Sequence, residues 1–189
     1  EQVVGVTTSA TIAVKRVLYS VPARLIGERL RLQVFDDRID AFVGASLAIT
    51  LPRVYSVNHE RARRIDYRHL IGALVRKPQA FRYSQLREEL LPNATYRAIW
   101  QQLDRQLEPR AACKRIVGIL ALAARGDCEQ ALGAYLREQL AAGTIPSLPA
   151  LEQRFEGRGD APTRTDLAAV HSTQHPLSSY DRLLGAHGP

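Results

Sequence analysis

Around residue 66 the apolar residues of this chain change their spacing, from the every-other-residue alternation of a strand to the three-to-four spacing of a helix. Leu30, Leu32 and Val34 alternate with Arg29, Arg31, Gln33 and Phe35, the pattern of a half-buried strand. Asp36, Asp37 and Arg38 supply turn chemistry, Ile39, Ala41 and Val43 alternate again, Gly44-Ala45 breaks the run, and Leu47, Ile49 and Leu51 form a further strand ending at Pro52. An earlier β-rich stretch runs from Ile12 to Val21 and stops at Pro22. Four or five short strands with tight turns predict a small closed or partly closed β-barrel over residues 1–55, because closure removes exposed sheet edges. The outward cations of that barrel are Lys15, Arg16, Arg24, Arg29, Arg31 and Arg53.

Residues 56–65 then read as a basic linker carrying Arg61, Arg63 and Arg64, with Arg68 just beyond. Helical signals occupy 66–156. Asp66 is placed to cap a helix from Tyr67 to Val75, which Arg76-Lys77-Pro78 ends. A second helix is predicted from Ser84 to Leu91 before Pro92, and a third after Asn93 or Thr95 through Ile99, Trp100 and Leu103. Pro109 fits the first turn of a fourth, closed by Gly126. Asp127-Cys128-Glu129-Gln130 resembles a capping box for a fifth, closed by Gly143, and Ser147 opens a short sixth. Short connections of this kind predict a compact antiparallel helical bundle. After Gly157 the composition turns loose, and 157–189 reads as a flexible tail in which Leu177, Tyr180, Leu183 and Leu184 recur at helical spacing. Such a motif either folds back on the bundle or is held out for a partner's groove.

Charge follows the same division. Residues 1–82 hold 14 Lys+Arg against 7 Asp+Glu, whereas 83–189 hold 12 of each, so the formal charge of +7 lies wholly in the first segment. A segregated basic excess is a footprint for a polyanion, and nucleic acid is the commonest one. Only Lys15, Lys77 and Lys114 among the 26 cations are lysines. Arginine favours planar, bidentate contact with phosphates or guanine edges. A genome that writes Arg for Lys everywhere explains the residue type but not the segregation. A solvated barrel face and a merely charged surface loop are the plainer alternatives for the barrel and the linker.

Other classes are mostly excluded. No apolar run reaches transmembrane length and no charged leader with a cleavage site opens the chain. Cys113 and Cys128 lack metal or disulfide spacing and read as buried reduced thiols of a cytoplasmic protein. His171 and His175 stand four apart but have no third ligand nearby, and Pro176 follows directly. The carboxylates Asp36, Asp37 and Asp40 fall at a hairpin that already asks for aspartates, and Arg158-Gly159-Asp160 is a chance match in a linker. No nucleophile elbow, phosphate loop or nucleotide fingerprint occurs. The chain begins at Glu1 and contains no methionine, which reads as a fragment cut from something longer.

Tyr19-Ser20-Val21-Pro22-Ala23-Arg24-Leu25-Ile26-Gly27, then Asp36-Asp37-Arg38-Ile39 and Phe42-Val43-Gly44, resemble the region just after the catalytic core of IstA-type insertion-sequence transposases. Tyr67-Arg68-His69-Leu70-Ile71, Arg76-Lys77-Pro78-Gln79-Ala80-Phe81, Leu91-Pro92, Tyr96-Arg97 and Ala112-Cys113-Lys114 are similar to that family's C-terminal region in order and spacing. The resemblance covers roughly residues 1–156 and is weak in the tail. Val43 and Ala45 stand where Leu and a second glycine are expected, so the hairpin is slightly altered.

That resemblance implies a member of the retroviral-integrase superfamily, with a phage-Mu-like (SH3-like) barrel. It also implies an Asp-Asp-Glu core using Mg²⁺ that lies upstream of Glu1, so no catalytic or metal residue and no cofactor is assigned within this chain. The implied role is binding transposon-end double-stranded DNA, building a dimeric or higher synaptic assembly, and bringing in an IstB-type AAA+ ATPase through the bundle or tail. It carries the expectation of a bacterial cytoplasmic protein, nucleoid-associated when bound to DNA. The alternative is a protein-interaction scaffold whose basic barrel docks an acidic protein. A third possibility, residual enzymatic activity in this piece, has no constellation to support it.

Overall fold

The computed structural model describes residues 2–55 and 62–155. The first part contains six strands: β1 (Gln2–Gly5), β2 (Thr11–Val14), β3 (Val17–Ser20), β4 (Arg29–Val34), β5 (Arg38–Val43) and β6 (Ser46–Pro52). A single turn of 3₁₀-helix, Ala23–Leu25, separates β3 from β4. A seventh strand, β7 (Ala62–Arg64), lies in the segment expected to be a linker.

These strands form two sheets. One is antiparallel in the order β1-β4-β5-β6, and the other has the order β2-β3-β7. No ladder joins the two sheets into a closed barrel among the described residues, so of the closed and partly closed forms expected the closed one is not found. The sheets nevertheless share one core, with Ile12, Val14, Val17 and Tyr19 from the smaller sheet packed with Leu30, Leu32, Ile39 and Leu51 from the larger. Alternation accounts for this. In β4 the even positions Leu30 and Leu32 are buried while Arg29 is exposed, and β5 buries Ile39 and Ala41 in the same way.

β7 pairs in parallel with β3, matching Val17 with Ala62 and Tyr19 with Arg64. It is therefore built into the sheet and is not a free connector. Its pairing uses backbone groups alone, which a basic Ala-Arg-Arg sequence supplies as well as any other.

Six helices follow: α1 (Arg68–Arg76), α2 (Ala80–Tyr83), α3 (Ala94–Gln106), α4 (Pro109–Gly126), α5 (Glu129–Ala141) and α6 (Leu148–Phe155). Asn93 caps α3 through its side chain, accepting from the Thr95 and Tyr96 N–H groups, and Pro109 occupies the first turn of α4. The helix expected over Ser84–Leu91 is absent. Its place is taken by a run of turns that follows the short α2, in which the Ser84 hydroxyl accepts the Leu86 N–H at 3.1 Å. Leu86, Leu90 and Leu91 are buried all the same. The predicted capping box at 127–130 does not form either. Asp127 adopts a left-handed conformation (φ 44°) that ends α4, and Cys128 precedes α5 without a side-chain cap.

α4 is the central helix and packs against each of the other five. Its Ile116, Val117, Leu120 and Ala123 share a core with Phe81, Trp100, Leu132 and Phe155. Gly118 lets α6 lie close against it, since a β-carbon there would meet Leu148 Cδ2 at 2.5 Å. Leu18 of β3 and Ile65 pack against this helical core, so the smaller sheet is seated on the helices. Cys113 and Cys128 are buried free thiols. No helix among the described residues is long and apolar enough to cross a membrane.

Candidate nucleic-acid interface

Of the ten basic residues expected to touch DNA, the nine that the structure describes lie in different environments. Lys15 and Arg16 form the two-residue tip of the β2–β3 hairpin, both exposed and both at positive φ, 44° and 67°. That geometry suits the right-handed twist of a two-residue hairpin but is one that Asn and Gly adopt more readily than long side chains. Two cations are thereby projected beyond the sheet. Arg29 is exposed at the start of β4, opposite Gly5. Arg31 lies on the same outward face with its guanidinium over the Phe42 ring at 4.6 Å, flanked across the ladder by the exposed Val3. Arg24, on the 3₁₀ turn, reaches only the Ala48 carbonyl among the described residues, at 3.5 Å.

The remaining cations are more engaged. Arg53 donates to the Phe35 carbonyl at 2.6 Å, approaches Asp36 at 3.5 Å and stacks on Tyr55 at 4.4 Å, which ties the end of β6 to the β4–β5 turn. Arg63 of β7 pairs with Glu89 at 2.7 Å, and Arg68 at the start of α1 pairs with Glu129 at 3.2 Å and Asp127 at 3.3 Å. These last contacts tie β7 and the start of α1 to later helical segments. Arg64 has no ion pair among the described residues, and neither do Lys15 and Arg29. Arg61 and the tail residues Leu177, Tyr180, Leu183 and Leu184 lie outside the described residues, as do His171, His175 and the Arg-Gly-Asp triplet.

A cleft of about 340 Å³ beside Arg64 and Arg68 contains Ser20, His69 and Asp66. Ser20 Oγ lies 2.9 Å from His69 Nδ1 and accepts the Asp66 N–H at 2.7 Å. The hydroxyl is buried and held from two sides, so this trio joins β3 to the start of α1 and lacks an exposed nucleophile. Burial holds the His69 imidazole below its ordinary pKa, with Asp66 acting in the opposite direction. Next to it Tyr67 donates to Glu129 at 2.9 Å, and burial first and the Glu129 carboxylate second push its phenol well above the ordinary range. With Asp66, Glu89 and Glu129 in its wall, this cleft is not a uniformly cationic surface.

The three hairpin carboxylates are likewise engaged. Asp36 approaches Arg53, Asp37 approaches Arg38, and Asp40 receives both Arg38 and the Thr50 hydroxyl, the latter at 2.8 Å. No three His, Cys, Asp or Glu residues are gathered for a metal ion among the described residues. One cation cluster was missed. Arg76 and Lys77 meet Arg110 and Lys114 around a single cleft. The neutral total of residues 83–189 hid it, and the one available signal, the i,i+4 spacing of Arg110 and Lys114 on one helix, points to no partner without the fold.

The class defined by these features is a mixed β/α chain whose sheets present Lys15 at a hairpin tip and Arg29 at a strand start, neither in an ion pair among the described residues. Comparison with known proteins connects that class with transposition. The chain is 29% identical over 184 residues, 94% of its length, to a protein named Transposase from Aminobacter aminovorans, and is a distant relative of it. It is 39% identical over 189 residues, 98% of its length, to the uncharacterized protein y4jA/y4nE/y4sE of Sinorhizobium fredii. The chain spans about a third of the length of these curated relatives, 35% and 36% respectively. No family model and no solved structure matches it.

Proposed function

We propose that this chain is the C-terminal DNA-binding and assembly region of an IstA-type transposase. The observation that carries this reading is the similarity to a transposase along nearly the whole chain. Unpaired Lys15, Arg29 and Arg64 on the strand-built part, where the net positive charge also lies, support it. In this reading the two sheets act as an opened form of the family's small barrel, laying their cations along the phosphate backbone of transposon-end DNA. The helical part and residues 157–189 then serve self-assembly and recruitment of the AAA+ helper ATPase. Mg²⁺-dependent chemistry belongs to another part of the protein, in an intracellular setting.

The test is binding of the purified chain to a transposon-end duplex and a scrambled duplex across a salt series. Affinity that falls steeply with salt supports the reading, and preference for the end sequence adds base readout. Weak binding indifferent to salt, combined with tight binding of an acidic protein to the same cations, would replace it with the scaffold reading.

A further inference from the structure

α1 ends at Arg76, residues 77–79 cross to α2, and α4 starts at Pro109; the three meet around an open cleft of about 550 Å³. Arg76, Lys77, Arg110 and Lys114 line it, and no carboxylate does. Among the described residues Arg76 donates only to the Gly72 carbonyl of its own helix, at 3.2 Å. Lys77, Arg110 and Lys114 form no ion pair among the described residues. The carbonyl end of α1 offsets the charge of Arg76 and Lys77, but Arg110 and Lys114 sit in the first two turns of α4, where the helix dipole disfavours cations. Glu108 caps the Arg110 and Ala111 N–H groups and offsets one charge there. A positive potential remains that nothing in the described chain answers.

Lys77 and Ala80 also border a second opening, of about 280 Å³, at the junction of the strands and the helices. Its wall is mostly apolar, with Ala23 and Ile26 on one side and Leu70, Leu74 and Leu86 on the other, and Thr8, Ser9 and Ser84 among its polar members. Ile26 is 42% exposed there. The basic cleft therefore runs into an apolar one through Lys77. A DNA backbone would satisfy the cations and leave the apolar opening facing water, whereas a segment bearing both carboxylates and apolar side chains satisfies both.

We propose that this groove docks an acidic amphipathic peptide segment of a partner protein, with its apolar side chains in the Ile26–Leu70–Leu86 opening and its carboxylates on Lys77, Arg76, Arg110 and Lys114. The mode is an amphipathic segment in a hydrophobic groove, with charge fixing its direction. It does not depend on the DNA-binding reading, which uses other residues.

The experiment pans a displayed library of random peptides on the whole chain, then measures the most enriched peptide by fluorescence anisotropy. The expected consensus combines Glu or Asp with Leu, Ile or Phe. Ile26→Asp and the pair Lys77→Glu, Lys114→Glu each weaken that peptide at least tenfold. The neutral pair Lys77→Gln, Lys114→Gln weakens it less, and an unlabelled DNA duplex fails to displace it. All three positions are exposed, and unchanged circular dichroism confirms folding of the variants. The absence of an acidic-apolar consensus overturns the proposal. So does a peptide indifferent to both the apolar and the charge variants, and so does a duplex that displaces it and itself loses affinity on Lys77→Glu, Lys114→Glu.

Discussion

Two sets of three cations, equal in charge, separate DNA contact from general positive charge. Lys15, Arg29 and Arg64 are exposed and have no ion pair among the described residues, whereas Arg53, Arg63 and Arg68 are held by Asp36, Glu89 and Glu129. Each phosphate neutralised adds about 0.9 to the slope of log affinity against log salt. Changing the first set to Ala therefore lowers the slope by about 2.7 if all three contact phosphates. Across a fourfold rise in salt, from about 50 to 200 mM, the parent chain then loses roughly 40-fold more affinity than the variant. The second set must give up existing partners before meeting DNA, so its removal lowers the slope by less than about 1. The assay is anisotropy of a labelled duplex several helical turns long, read at five or so salt concentrations for the parent and both triple variants. Equal slope changes for the two sets would mean that only the overall field matters, and a larger change for Arg53, Arg63 and Arg68 would refute the assignment by environment.

Other perturbations follow from the packing. Ser20→Ala removes the acceptor of the Asp66 N–H at a buried joint and is expected to cost about 1–3 kcal/mol in urea unfolding. His69 has a folded pKa below its unfolded one, so its contribution to stability is full above about 6.5 and is lost as pH falls through that value toward the folded pKa. The melting temperature should therefore drop from pH 7 to 5.5, and His69→Gln should flatten that dependence. Phe81 and Trp100 meet edge to face with centroids 5.0 Å apart, so Phe81→Ala should cost about 3–5 kcal/mol, followed by the fluorescence of this sole tryptophan. Gly118→Val drives a branched side chain into Leu148 and should destabilise by about 1–3 kcal/mol. Gly118→Ala should be nearer neutral in the same measurement, because gaining helix propensity of about 1 kcal/mol offsets the shift of a flexible Leu148 side chain.

Wherever one face of an element is buried over several residues, the sequence alone located it. Leu30 and Leu32 alternate in β4, and Ile116, Val117 and Leu120 recur in α4, because burial writes its period into the side chains. β1 and β7 were not legible for the converse reason. Each holds its place by backbone pairing, with side chains mostly facing outward, and such pairing leaves no periodic mark. At Ser84–Leu91 a helix was expected and turns stand in its place, yet Leu86, Leu90 and Leu91 are buried all the same, because a run of turns can cover apolar side chains without a helical period. Of the candidate interface, the excess of charge was readable, but its distribution between partners was not. Glu89 and Glu129 lie 26 and 61 residues from the arginines they meet, Arg63 and Arg68.

That distribution also bears on how firmly each engaged arginine is withheld from DNA. Arg63 and Arg68 keep close to half their side chains in water, and ion pairs so exposed contribute at most about 1 kcal/mol. A phosphate can therefore compete for either with little loss to the fold, most of all at low salt, where attraction to the DNA reaches furthest. Arg53 is different. Its side chain is 14% exposed, donates to a backbone carbonyl and lies on Tyr55, so drawing it out would break packing as well as charge. Within the engaged set, single substitutions should therefore divide. Arg63→Ala and Arg68→Ala should each reduce the salt slope slightly with little effect on the melting temperature. Arg53→Ala should lower the melting temperature and leave the slope unchanged. An Arg53→Ala variant that lost salt-dependent affinity while melting normally would show that the contacts now holding Arg53 yield to DNA, and that the static partners of a cation are a poor guide to its availability in this protein.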